Sequence, residues 1–218
     1  MARRRELFPR LGRLLFLEPQ WPNQSELARR LETTPSAIET WIHWLAFHRA
    51  IRFESGRIEA DRPRLLTLLA AARTANLRPA PPFTTTRSTA QIQELLHEQQ
   101  VPHVFSFFTA ANQWAFYEPR DDCHLYVDRG RMGVLRRLLG QREPPRRHPT
   151  TVQAYLEPVA TIQATQRDGL PITGIFETVV DLRAHPEGGA HAAFLEKNVL
   201  PRLRRTDGSE RPTLGPDQ

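Results

Sequence analysis

Cysteine occurs once in this 218-residue chain, at Cys123. No intramolecular disulfide can form, which suits a reducing cytoplasm. Lysine is as scarce: Lys197 stands alone among 30 basic residues, and the rest are arginine. A nuclease built on an acid followed by Glu-x-Lys therefore lacks its lysine, because Lys197 falls in the last expected helix. Long apolar runs are missing too. The patch Leu14-Leu15-Phe16-Leu17 is far too short to span a bilayer, and it reads as part of a first helix, not as a signal. No glycine-rich phosphate loop is present; Gly188-Gly189 lacks the flanking Gly, Lys and Ser/Thr of that motif.

Other catalytic patterns fail on spacing. Polymerase-like nucleotidyl transfer needs a Gly-Ser turn and then Asp-x-Asp to hold metal ions at the phosphates. Asp121 and Asp122 are adjacent, no Gly-Ser precedes them, and Asp128 stands by itself. Cys123 and His124 are neighbours, so a strand turns them to opposite faces and a thiol–imidazole pair does not form. Asp181 and His185 stand four apart on an expected helix. They can share an ion, but such a pair is more often a helix-steadying hydrogen bond, and Asp181 after Val179-Val180 is expected to be partly buried. No enzymatic activity, cofactor or bound metal is expected.

What the chain has is arginine, unevenly placed. Up to residue 80 there are 14 arginines against eight acids; from residue 81 the two signs balance. The whole formal excess of +6 therefore lies in the first third, which suits a polyanionic partner. Apolar residues make up 39%, low for one large core and enough for two compact units.

The first third reads as helix 6–17, a break at Pro19 and Pro22, helix 24–31 capped by Asn23, and a third helix from Pro35 to about residue 48. Strands 50–54 and 57–60 flank Ser55-Gly56 as a hairpin, and helix 63–76 follows with Leu65, Leu68, Leu69 and Ala72 on one stripe. This is the order of a winged helix-turn-helix, assigned to residues 1–78. On the third helix Ile38, Ile42 and Leu45 share one arc with Trp41 at its edge, while Ser36, Thr40 and His43 project oppositely toward a major groove. Arg29, Arg30, Arg52 and Arg57 are candidate phosphate partners, and Arg3, Arg4 and Arg5 a candidate minor-groove arm. Glu39 opposes this reading unless it accepts from a cytosine amine. Trp44 and Phe47 lie off the core arc and offer the alternative, a protein-contact surface.

Residues 79–88, with Arg78-Pro79-Ala80-Pro81-Pro82 at their start, read as an extended linker. A second, mixed α/β domain is expected over 89–205. It runs helix 89–99, strand 104–107, helix 109–116, strand 124–128, helix 131–139, a basic loop 141–149, paired strands 152–157 and 161–166, a turn at Asp168-Gly169, strand 171–173, and helices 175–184 and 187–204. A polar tail, 206–218, follows as disordered chain. The fold class is thus α+β, a winged helix followed by a small mixed α/β domain.

Three stretches of this second part resemble the C-terminal domain of type IV toxin–antitoxin antitoxins of the AbiE type. They are Phe108-Thr109-Ala110-Ala111-Asn112-Gln113-Trp114 with Leu125-Tyr126-Val127-Asp128; Thr151-Val152-Gln153-Ala154-Tyr155-Leu156-Glu157; and the run from Asp168-Gly169-Leu170-Pro171-Ile172-Thr173 through Glu177-Thr178-Val179-Val180-Asp181-Leu182 to His185-Pro186-Glu187-Gly188-Gly189. The resemblance covers about residues 100–200 and implies a non-enzymatic transcriptional regulator. Such a protein represses its own promoter on double-stranded DNA and counters a nucleotidyltransferase-like toxin. A two-fold operator would call for a homodimer. The standing alternatives are a winged helix that binds protein and a degenerate nucleotidyltransferase- or nuclease-like enzyme.

Overall fold

The computed structural model describes residues 2–140 and 149–201, with side chains from Leu7 onward in the first helix. The expected basic loop, apart from Pro149, and the expected polar tail lie outside the described residues.

The chain opens with α1 (Ala2–Leu17), followed by β1 (Gln20–Trp21), α2 (Gln24–Arg30), α3 (Pro35–Phe47), β2 (Ile51–Glu54), β3 (Arg57–Ala60) and α4 (Arg62–Asn76). Asn23 caps α2 by accepting from the Glu26 N–H at 2.9 Å, and Pro35 opens α3, as expected. Ser55 and Gly56 both take positive φ, the geometry that lets a two-residue turn follow the twist of its strands. A strand the sequence reading missed, β1, pairs with β3 and makes the sheet order β1-β3-β2. Two residues give no periodicity to read, yet Trp21 is buried there. On α4 the buried stripe is Leu65, Leu66, Leu69 and Ala70, about one residue round from the expected one. The expected arm at Arg3, Arg4 and Arg5 is helical instead, because α1 begins at Ala2; the side chains of these three lie outside the described residues.

Residues beyond α4 form a six-stranded sheet with helices on both faces, an α+β architecture for the chain as a whole. The elements are β4 (Phe83–Thr85), α5 (Thr89–Glu98), β5 (His103–Phe105), α6 (Phe107–Trp114), β6 (Asp122–Val127), α7 (Met132–Leu139), β7 (Thr150–Leu156), β8 (Ala164–Arg167), β9 (Leu170–Thr173), α8 (Ile175–Ala184) and α9 (Gly189–Asn198), with sheet order β4-β7-β6-β5-β9-β8. Two strand-level expectations are corrected. β7 and the strand after it do not pair; β7 runs parallel to β6, while β8 forms a hairpin with β9 through Asp168-Gly169, both at positive φ. The Asp-Gly turn fixes the nearer partner, and this local closure overrides similar alternation in the two segments. The residues read as a linker are extended but lie along β7. The Ala80 N–H donates to the Ala154 carbonyl at 2.9 Å, the Leu156 N–H to the Arg78 carbonyl at 2.8 Å, and β4 continues the pairing.

β6 is buried on both faces and separates two cores. Cys123, Leu125 and Val127 face α5 and α7. His124 and Tyr126 face the opposite way, where His124 lies against Phe107 and Phe108 of α6 and Tyr126 joins the α8 core. That second core continues through Phe176 and Val179 of α8 into Leu11, Leu15, Leu65 and Leu69 of α1 and α4. α4 and α8 pack along one another, so the winged helix and the large sheet share buried surface.

Candidate nucleic-acid interface

α3 buries Ile38, Ile42 and Leu45 completely and leaves Ser36, Glu39, Thr40 and His43 in solvent. The helix angle of each residue dictates this split, and it is the arrangement a groove-reading helix needs. The turn before α3 is firmly built. Gln24 donates to the Pro35 carbonyl at 2.8 Å, and the Thr34 and Ser36 hydroxyls lie 3.1 Å apart. Trp44 is half-buried, with its ring 5.4 Å from Phe8 and 4.4 Å from His48, so it serves packing more than surface. Phe47 is 83% exposed and Phe53, on the wing, 55% exposed.

The candidate phosphate partners divide. Arg29 donates to Glu26 through Nε and Nη2, and Arg52 donates to Glu59 at 2.8 Å, with Glu54 3.9 Å from the Arg52 guanidinium. Hydrogen bonding to Glu26 raises the Arg29 pKa and hydrogen bonding to Glu59 raises that of Arg52, so both stay charged but neutralised by a neighbour. Arg30 and Arg57 are exposed and make no ion pair among the described residues. Arg49, which the sequence reading passed over, belongs with them. It sits just past α3 with φ of 56°, exposed and without an ion pair. From residue 20 to residue 61 there are five arginines (29, 30, 49, 52, 57) against six acids (26, 32, 39, 54, 59, 61). The basic excess lies not on α3 and the wing but in α1, α4 and the residues flanking them.

Much of that excess faces inward. Arg13 lies 3.4 Å from Glu177, and Arg62 donates to the Phe16 and Leu17 carbonyls at 2.7 and 3.0 Å. Arg73 donates to Asp181 at 2.8 Å and to Glu157 at 2.9 Å, with its guanidinium 4.8 Å from the centre of the Tyr126 ring. Burial opposes the charge on Arg73, but Asp181, Tyr126 and Glu157 outweigh it, and its pKa is raised. Burial also raises the pKa of Asp181, against the pull of Arg73. The sequence carried no sign of this joint, because Glu157 and Asp181 lie 84 and 108 residues along the chain from Arg73.

Of the residues considered for catalysis, Asp122 and His124 meet on one face of β6, with His124 Nε2 3.4 Å from Asp122 Oδ2 and the His185 ring 5.6 Å from that of His124. The Cys123 thiol is pushed up to about 12 by burial and then by Asp122, so it is no thiolate nucleophile. Asp181 turns to Arg73, while His185 Nδ1 accepts from the Glu187 N–H at 3.2 Å. The two engage different partners, and the expected hydrogen bond between them does not form. Among the described residues no group of three or more His, Cys, Asp or Glu side chains is placed to hold a metal ion.

The architecture is a helix-turn-helix with a three-stranded wing, joined through α4 and α8 to a sheet covered on both faces. No family model, curated protein or solved structure matches the chain. Among the described residues no helix is long and apolar enough to cross a membrane.

Proposed function

We propose that this chain is a winged-helix transcriptional regulator that binds double-stranded DNA. The observation that carries the reading is the exposed face of α3, where Ser36, Glu39, Thr40 and His43 stand clear of the core beside a formed wing. Ser36, Thr40 and His43 reach base edges; Arg30, Arg49 and Arg57 contact phosphates. The antitoxin role, with repression of its own promoter and a nucleotidyltransferase-like toxin as partner, rests on the order of the C-terminal motifs alone. A homodimer would match a two-fold operator.

The test is fluorescence anisotropy of the full chain on duplex DNA over a salt series. Arg30→Ala with Arg57→Ala should weaken binding on all sequences and flatten the log–log salt slope by roughly 0.9 per lost phosphate contact. A slope unchanged in the double variant sinks the assignment. A second reading, docking of a protein on the wing side, is favoured by the exposure of Phe47 and Phe53. Phe47→Glu separates the two: loss of self-association with DNA affinity intact supports the protein contact, and loss of DNA affinity alone supports the groove.

A further inference from the structure

A cavity of about 350 Å³ lies at the far edge of the large sheet, away from α3 and the wing. Gln93 and His97 of α5, His103 of β5, and Gln166, Gly169, Leu170 and Pro171 of the β8–β9 hairpin line it. Gln93 and His97 are four apart on one helix and so share a face. His103 comes from the neighbouring strand. One ring atom of His103 is already fixed: Nδ1 lies 2.7 Å from the Val101 carbonyl. A carbonyl only accepts, so Nδ1 carries the proton and the neutral ring keeps its lone pair on Nε2. That Nε2 is buried and has no partner; Gln93 Nε2 is buried and has none either.

A buried lone pair without a donor is costly, and an anion would not relieve it. A cation would. An imidazole whose second nitrogen donates to a backbone carbonyl is also the usual outer arrangement of a metal-bound histidine.

We propose that this cavity takes a divalent transition cation of the zinc or nickel class, held by His103 Nε2 and by His97. The Gln93 amide, turned to present its oxygen, supplies a third ligand, and water completes the shell. The donor set is two imidazole nitrogens and an amide oxygen with no carboxylate, which favours these borderline cations over calcium or magnesium. The site is independent of the DNA reading.

Calorimetric titration of the full chain with Zn2+ tests it. The expected result is one saturable site per chain, weakened at least about tenfold by His97→Gln and by His103→Gln, in line with what even supporting contacts around a metal are worth. His48→Gln, at the end of α3, should leave the Zn2+ affinity unchanged. Because His97 is on the surface, His97→Gln decides the matter even if the His103 variant does not fold. No saturable site, or an unchanged affinity in His97→Gln, overturns the proposal; heat that persists in both variants places the ion elsewhere and does the same.

Discussion

Arginines of the helix-turn-helix and wing and arginines of the α1–α4 joint differ in what surrounds them. On the first surface Arg29 and Arg52 are exposed and meet acids of their own module. At the joint Arg13 and Arg73 reach carboxylates of α8, and Asp181 is fully enclosed. An exposed pair exchanges one solvated arrangement for another and contributes little. A buried pair that loses one member leaves the other uncompensated in a low dielectric. Charge counted along the sequence merges the two cases, so an excess that looks like a polyanion footprint is partly internal scaffolding.

The sharpest way to break this comparison is to truncate one arginine of each kind. Arg73→Ala leaves Asp181 and Glu157 without their common cation, and it should cost about 3–5 kcal/mol in urea unfolding. Arg52→Ala should leave the urea midpoint where it was. Equal losses in the two variants would erase the distinction between surface and joint.

Acid–base behaviour gives a second, smaller contrast. Burial raises the Glu177 pKa, and Arg13 only partly restores it. The folded chain therefore holds this proton more tightly than the unfolded chain does. The stability it contributes is complete below the unfolded carboxyl range and is lost as pH rises through the raised folded value. Glu177→Gln should flatten that decline, which begins at the unfolded carboxyl value of about 4. Glu26 behaves oppositely: its hydrogen bond from Arg29 lowers its pKa, so its contribution is present above the unfolded value and fades as pH falls. Unfolding midpoints taken at several pH values check both signs, and parallel profiles for the parent and Glu177→Gln would contradict the burial argument.

How much of this was legible depended on the range of each interaction. Asn23, Pro35 and Ser55-Gly56 act within four residues, and each marked its element correctly. The arc of Ile38, Ile42 and Leu45 was legible because helical geometry alone sets it. Alternation in 152–157 and 161–166 suggests a pair, yet the turn at Asp168-Gly169 gives β8 to β9. β1 and β4 were missed because short edge strands carry too little pattern, and prolines 79, 81 and 82 mask an extended segment docked on β7. For the candidate site the exposure of Ser36, Thr40 and His43 follows from helix angle, and the neutralisation of Arg52 is implicit in the two-residue turn at Ser55-Gly56. Glu59 reaches Arg52 only because β2 and β3 set residue 52 opposite residue 59.

That cross-strand pair supplies the finest test. Arg52 is a charged group placed on the wing but occupied by Glu59. Glu59→Gln keeps the side-chain length, removes the counter-charge and leaves Arg52 only the 3.9 Å approach of Glu54. If the wing faces DNA, the released guanidinium can take a phosphate, and the log–log salt slope should steepen by about 0.9, the amount one added contact provides. Fold stability should hold, since both side chains are in or near solvent. The measurement is the same anisotropy series used for Arg30 and Arg57. A slope that stays flat while duplex binding persists would mean that the wing points away from the nucleic acid and that α3 and Arg49 grip it without the wing's help.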